Sequence, residues 1–305
     1  MNRRQWLKIG AASLAGAAAT ARASVTDAFS TVTMPVDTMN RVPGWMPDAF
    51  KPLELKGRVI GEGRPKLIAP TTAKTPEEFV KTVKALAARP ELDMIEARLD
   101  YLGNLKPDEF ARLTREAYEA SGDKILLVTV RNGTDGGPIN FDDATYEAVY
   151  SAVIASGRAD VLDFEIFRDA AMTARLIEAA HAKGIKVILS DHEFKFMPEE
   201  DEIIRRLILE DRMGADILKI AVMAHSPEDA LKLMSATAKV RRLYSNKPML
   251  TMAMGKWGVL TRITGEGFGS DLTFASVGGK ASAPGQIPSE ECLQVLETLH
   301  KAMNP

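Results

Sequence analysis

AlaAspIleLeuLysIleAlaValMet, residues 215–223, reads as a short buried strand with Lys219 at its centre. Successive side chains alternate along a strand, so Ile217, Lys219 and Ala221 share one face, and Leu218, Ile220 and Val222 share the other. Both faces are apolar apart from the lysine, the composition of a parallel strand covered on two sides. Similar apolar runs occur at 66–70, 93–99, 124–131, 161–167, 186–191, 249–254 and 271–277. Helical patterns lie between them, among them Thr75–Ala88, Pro107–Ala120, Asp142–Ser156 and Glu199–Met213. Pro76 and Pro107 stand in first turns, and Gly122, Gly157 and Gly184 just past helix ends. Eight strands alternating with about eight helices over roughly 240 residues predict an α/β protein of the (β/α)8 TIM-barrel class. A doubly wound open sheet announces itself with a glycine-rich turn after its first strand, and Ala69-Pro70-Thr71-Thr72 is no such turn.

The rest of the chain divides around that barrel. AsnArgArgGlnTrpLeuLys (2–8), the Ala/Gly-rich run Ile9–Thr20 and Ala21-Arg22-Ala23 have the parts of a twin-arginine export signal cleaved after Ala23. The run is too short to span a bilayer comfortably, so no stable membrane association is expected after cleavage. Removing 1–23 takes away four basic residues and no acid, leaving 35 basic against 41 acidic residues. Residues 24–52 read as a linker or surface arm, and 53–305 as the barrel domain. Leu53–Lys66 reads as a hairpin turning at Gly61-Glu62-Gly63. One cysteine, Cys292, excludes an internal disulfide or thiolate cluster. The four histidines are scattered without HxxxH spacing, so no metal site is predicted. A near-neutral charge with no basic run beyond the N-terminus gives no reason to expect nucleic acid.

A barrel keeps its active site at the C-terminal ends of its strands, where polar residues recur here. The second run has Glu96, Arg98 and Asp100 on one face, and the third ends in Arg131. The fourth carries Asp163 and Glu165, the latter suited to a structural ion pair. His192 ends the fifth run, Lys219 sits in the sixth, Arg262 follows the seventh, and Ser282 and Gln286 follow the eighth. Taken alone, Lys219 could snorkel to solvent or guard a sheet edge. Buried near arginines instead, it would shed its charge more readily and offer a neutral amine to a carbonyl. A histidine can then take a proton beside the imine carbon and return one to a leaving hydroxyl. Arginines suit a carboxylate, and glutamate, serine and glutamine suit hydroxyls. Together these types describe dehydration of a polyhydroxylated keto-acid with neither metal nor organic cofactor.

IleGluAlaArgLeuAsp (95–100), ThrValArg (129–131), SerAspHisGluPhe (190–194), LysIleAla (219–221), MetAlaMetGly (252–255) and LysAlaSerAlaProGlyGlnIle (280–287) resemble type I 3-dehydroquinate dehydratase over residues 53 to 303. The resemblance implies a commonly homodimeric barrel that converts 3-dehydroquinate to 3-dehydroshikimate by syn loss of water. It implies an imine on Lys219, with His192 as acid and base. Arg262 and Gln286 would hold the carboxylate under a loop bearing Ser282. Glu96, Arg98 and Arg131 would face the ring hydroxyls, with Met252 and Met254 in the pocket wall. The family usually has a glutamate orienting the histidine; Asp135 stands there, one methylene shorter, and its reach is reduced. Asp191 is no substitute, because strand neighbours point oppositely. His225 is a rival base by position, but His225-Ser226-Pro227 reads as a helix start. Relatives often have a small hydroxyl residue where Ala69-Pro70 ends the first run, so no contact is carried over there. An aldolase-like Schiff-base lyase and a non-catalytic keto-acid binder are the alternatives. Export predicts a periplasmic, catabolic task.

Overall fold

The chain was analysed as a computed structural model that describes residues 49–279 and 283–305. The signal-like segment with its cleavage point, nearly all of the 24–52 arm, and Ser282 lie outside the described residues.

Each alternating run forms a parallel strand, most of them the same length or shorter than predicted and the fifth extended by two residues to Glu193. After a hairpin of β1 (Leu53–Leu55) and β2 (Arg58–Ile60) come β3 (Lys66–Pro70), β4 (Met94–Arg98), β5 (Ile125–Thr129) and β6 (Val161–Glu165). β7 (Lys186–Glu193), β8 (Ile217–Met223), β9 (Met249–Met254) and β10 (Leu272–Phe274) complete the set. The eight strands from β3 to β10 form one sheet in the order β10-β3-β4-β5-β6-β7-β8-β9. Its ends approach one another, with Asp271 N–H donating to the Met249 carbonyl at 2.7 Å, so the sheet is a nearly closed (β/α)8 barrel.

Six long helices cover the strand-to-strand crossings: α1 (Pro76–Ala87), α2 (Pro107–Ser121), α3 (Asp143–Ser156), α4 (Ala170–Ala182), α5 (Glu200–Met213) and α6 (Pro227–Leu243). Short α7 (Val259–Ile263) and α8 (Gly265–Phe268) and the final α9 (Ser289–Met303) follow. Their starts obey local chemistry. Thr75, Asp142 and Ser226 accept from backbone N–H groups of their first turns, and proline occupies the first turn of α1, α2 and α6.

Two apolar cores result, as alternation requires. Outward strand residues such as Leu126, Leu162, Leu189 and Leu218 pack beneath the helices. Inward residues Ile68, Met94, Ile125, Leu127, Val161, Ile188, Ile217 and Leu272 fill the lower barrel, which Ile60 of the hairpin plugs. One step further along the same inward rows the residues become Glu96, Thr129, Asp163, Ser190 and Lys219, all buried. The interior is therefore apolar below and polar at the mouth.

The hairpin turns at Lys56-Gly57, not at Gly61–Gly63. A two-residue type I′ hairpin has positive φ at both central positions, and Lys56 (φ 46°) and Gly57 (φ 71°) supply it. Gly61 instead leaves room for Phe50, whose ring also lies under the Arg241 guanidinium at 3.9 Å. Phe50 and Lys51, near the end of the predicted arm, thus pack on the barrel.

Candidate active site

Lys219 faces the barrel interior from the middle of β8 and is 2% exposed. Its Nζ lies 2.6 Å from Asp163 Oδ2 on β6 and 5.3 Å from the centre of the Phe274 ring. The sequence reading set like charges around this amine, whereas its immediate neighbour is a carboxylate. An ammonium taken out of water demands such a partner, and barrel closure brings Asp163 across to supply one. Asp163 appeared among the polar mouth residues but had no role; only a buried acid in an inward row pointed to it.

Asp163 is the hub of a fully buried network. Arg131 Nη2 donates to its Oδ1 at 2.7 Å, and the Ser190 hydroxyl donates to the same oxygen at 2.5 Å. Arg131 Nη1 in turn donates to Ser190 Oγ at 2.9 Å and lies 3.5 Å from Glu165 Oε1. Burial pushes the Asp163 carboxyl up, but the Arg131 and Lys219 charges prevail and hold it well below the usual carboxylate range. Arg131 stays charged despite its burial, because Asp163 and Glu165 face it. Glu165 takes the Asn132 N–H at 2.7 Å and Arg168 Nε at 3.1 Å, the structural ion pairing expected of it. Arg131 therefore spends its donors within the protein.

His192 lies on the same inward face of β7, two residues past Ser190. Burial, followed by the nearby charges of Arg131 and Lys219, pushes the imidazole well below its ordinary value, so the resting ring is neutral. Its Nδ1 lies 3.5 Å from Asp135 Oδ2, too long for a good hydrogen bond and in keeping with the shorter acid. Phe194 stacks beside the ring at 6.1 Å between centroids. Asp191 points the other way, to Arg206 of α5 at 2.5 Å. His225 is exposed and donates its backbone N–H to Asp229 at the start of α6, outside this cluster.

Across the mouth, Glu96 accepts from the Thr129 hydroxyl at 2.9 Å. Arg98 makes a two-pronged pair with Asp100, at 2.9 and 2.7 Å. Thr71, just past β3, accepts the Arg98 backbone N–H at 3.0 Å, a contact the sequence reading did not anticipate. Met252 and Met254 line the inward face of β9. Arg262 is 1% exposed and its Nη2 donates to the Pro284 carbonyl at 3.2 Å, while among the described residues Nε and Nη1 meet no acceptor. Burial alone lowers its pKa to about 10. Two unmatched donors on a buried guanidinium form a receptor for a planar anion such as a carboxylate. Gly285 (φ +85°) lies so close that a Cβ there would meet the Gly255 carbonyl oxygen at 2.7 Å, so only glycine lets this loop press onto the end of β9. Half-buried Gln286 follows it.

A barrel with a buried amine, a neutral imidazole and an anion-binding arginine at one mouth is the arrangement of a lyase acting on a carboxylated ketone. The sequence profile of the type I 3-dehydroquinase family matches residues 67–303. A catabolic 3-dehydroquinate dehydratase of Acinetobacter baylyi is 40% identical over 252 residues, covering 80% of this chain and 90% of the relative. The 3-dehydroquinate dehydratase of Alkaliphilus oremlandii is 37% identical over 252 residues, 82% of this chain and 98% of its own. Among solved structures, the type I enzyme of Clostridium difficile with covalently modified comenic acid superposes with a TM-score of 0.79 at 35% identity, covering 83% of this chain and 99% of that one. The chain belongs to the type I 3-dehydroquinate dehydratases, hydro-lyases that dehydrate 3-dehydroquinate. Membership sets aside the aldolase and the non-catalytic binder.

Proposed function

We propose that the enzyme dehydrates 3-dehydroquinate through an imine on Lys219, outside the cytoplasm, in a catabolic setting. The observation that carries the chemistry is the Lys219 ammonium paired with Asp163 at 2.6 Å while a neutral His192 shares its electrostatic surroundings. Asp163, held ionised by two neighbouring cations, is too weak a base to take up a proton in the reaction. Neutral His192 takes a proton from the Lys219 amino group, which adds to the C3 ketone, and returns it to the carbinolamine hydroxyl; that hydroxyl leaves as water, giving the iminium and a neutral imidazole again. His192 then removes the C2 proton, the electron pair passing into the iminium to give an enamine. Expulsion of the C1 hydroxyl as water, protonated by the imidazolium, restores the imine in conjugation. Hydrolysis returns the amine and releases 3-dehydroshikimate.

Arg262, with Gln286, binds the carboxylate, and Ser282, outside the described residues, is expected to assist. Glu96 and Arg98 meet ring hydroxyls, and Arg131 acts by anchoring Asp163. Asp135 orients His192 from 3.5 Å. A relative solved with a covalently modified ligand supports a pocket nucleophile of this kind. Borohydride added with 3-dehydroquinate fixes substrate mass on Lys219, and Lys219→Ala abolishes both labelling and enone formation while the fold persists. Unlabelled wild-type protein under turnover would end the imine reading.

Export rests on the paired Arg3 and Arg4 and the Ala21–Ala23 pattern. The catabolic role draws support from the name of the Acinetobacter relative. Fractionation of cells producing the full chain should place activity in the periplasm, and Arg3→Lys with Arg4→Lys should retain it inside; cytoplasmic wild type with an intact N-terminus argues for biosynthesis. A homodimer is expected, and sedimentation would decide it.

A further inference from the structure

The seam between β5 and β6 closes differently at its two ends. In its lower part the ladder pairs Leu127 with Val161, Val128 with Leu162 and Thr129 with Asp163. Above Thr129 it stops, although β6 runs on and keeps its pairing to β7 as far as Glu165 and Ser190. Tyr150 of α3 enters this gap. The Val130 N–H donates to its hydroxyl oxygen at 2.9 Å, and the hydroxyl donates to the Asp163 carbonyl at 2.5 Å. One phenol oxygen thus replaces one rung of the ladder. A turn earlier on α3, the Tyr146 oxygen accepts the Glu165 N–H at 3.2 Å.

Both rings are buried in the layer outside the barrel, where Tyr150 packs edge-on to Phe164 with centroids 4.7 Å apart. The backbone groups Tyr150 joins nevertheless belong to the catalytic mouth. Val130 immediately precedes Arg131, and Asp163 is the residue on which Arg131, Ser190 and Lys219 converge. A bridge of two hydrogen bonds holds the strands further apart than a direct rung would. Arg131 lies one inward step beyond Thr129, just past the end of β5, and there meets the Asp163 side chain.

We propose that Tyr150 is a positioning residue for the nucleophile: its hydroxyl sets the spacing of β5 and β6 at the height of the site, and with it the position of the Asp163 carboxylate between Arg131 and Lys219. The proposal rests on Lys219 being the imine-forming amine. Without the hydroxyl, the Val130 N–H and Asp163 carbonyl either lose their partners in a buried layer or close on each other and draw Arg131 out of register. A shift of about 1 Å in a catalytic group costs about 100-fold in rate.

The test is Tyr150→Phe in the full-length protein, with Tyr146→Phe beside it. Each is assayed for the rate of borohydride trapping on Lys219 and for kcat and KM of enone formation, all scaled to the folded fraction from near-ultraviolet circular dichroism. Tyr150→Phe is expected to lower trapping rate and kcat together by about 10- to 100-fold, with KM within about twofold, because the carboxylate anchor Arg262 is untouched. Tyr146→Phe, which loses one acceptor for a backbone N–H, should change either by less than about threefold. A folded Tyr150→Phe enzyme that traps at the wild-type rate overturns the proposal, and so does a loss no larger than its unfolded fraction. If Tyr150→Phe does not fold, Tyr150→His keeps a donor and an acceptor in a displaced position and is held to the same kcat-only loss. Wild-type protein that itself fails to trap at Lys219 would refute the imine reading instead, a result distinguishable before any variant is made.

Discussion

Replacing Asp135 by glutamate restores the methylene that separates this acid from the one usual in the family. Asp135 Oδ2 is 3.5 Å from His192 Nδ1, which has no hydrogen-bond partner among the described residues. A charge-assisted bond would need about 2.8 Å, and one more carbon extends the reach by about 1.5 Å, more than the shortfall. At an effective dielectric constant of about 20, closing that gap strengthens the attraction between carboxylate and imidazolium by about 1 kcal/mol, or about one pKa unit. Burial and the charges of Arg131 and Lys219 hold His192 well below its ordinary value, so the acid limb of kcat/KM lies below about pH 6.5. Asp135→Glu should move that limb upward by about one unit and raise kcat at neutral pH through a better-oriented ring. Enone absorbance under steady-state conditions across the acid range measures both, with His192→Ala as the blank. An acid limb at the same pH in both enzymes, or one displaced downward, would show that this acid does not govern the imidazole.

Asp163→Asn leaves Lys219 and Arg131 buried without their shared counter-charge, and a loss of about 3–5 kcal/mol in unfolding free energy is expected. Because the native Asp163 carboxyl lies below its unfolded value of about 3.9, its contribution is complete above that pH and fades as pH falls toward the native value. Chemical denaturation against pH should therefore show a flatter acid side in the variant. Arg262→Met should raise KM by about 10- to 100-fold, the worth of a charged hydrogen-bonded contact, with Tm held or increased because the free enzyme buries this guanidinium without an anion; an unchanged KM would exclude it from substrate binding. Glu210 of α5 is fully buried, accepts the Lys219 backbone N–H at 2.7 Å, and burial pushes its carboxyl well up. The folded state then holds a proton the unfolded state releases, so stability falls as pH rises from about 4.3 toward the native value. Glu210→Gln should remove that slope, which equal wild-type and variant slopes in denaturant titrations would contradict.

The alternation of LysLeuIleAlaPro (66–70), IleGluAlaArg (95–98) and IleLeuLysIleAla (217–221) was enough to predict the barrel and to say which residues point inward. A strand repeats every two residues whatever it packs against, and helix caps such as Thr75 and Ser226 are equally local. Lys219, His192 and Glu96 could be placed on inward faces for that reason, whereas Arg262, in α7 past the seventh run, was singled out by position and motif; resemblance supplied the roles proposed for all four. The misplaced hairpin turn shows the limit of composition: Gly61 and Gly63 look like a turn, but the register that buries Ile60 puts the reversal at Lys56-Gly57.

Only the closed barrel decides what each inward residue meets. Asp163 and Lys219 are 56 positions apart, and Arg131 and Ser190 are 59 apart, yet both pairs are in hydrogen-bond contact. Their distances depend on strand tilt and stagger summed around the sheet, which no local pattern encodes. Tyr150 could be recognised as an apolar-face residue of α3, but its bridge from Val130 to Asp163 exists only because a helix is docked over a splayed seam. Sequence alone determined the kind of chemistry, because side-chain type and strand period are properties of the chain; tertiary structure determined the charge partner of the amine and the reach of Asp135, because those are separations across closed space.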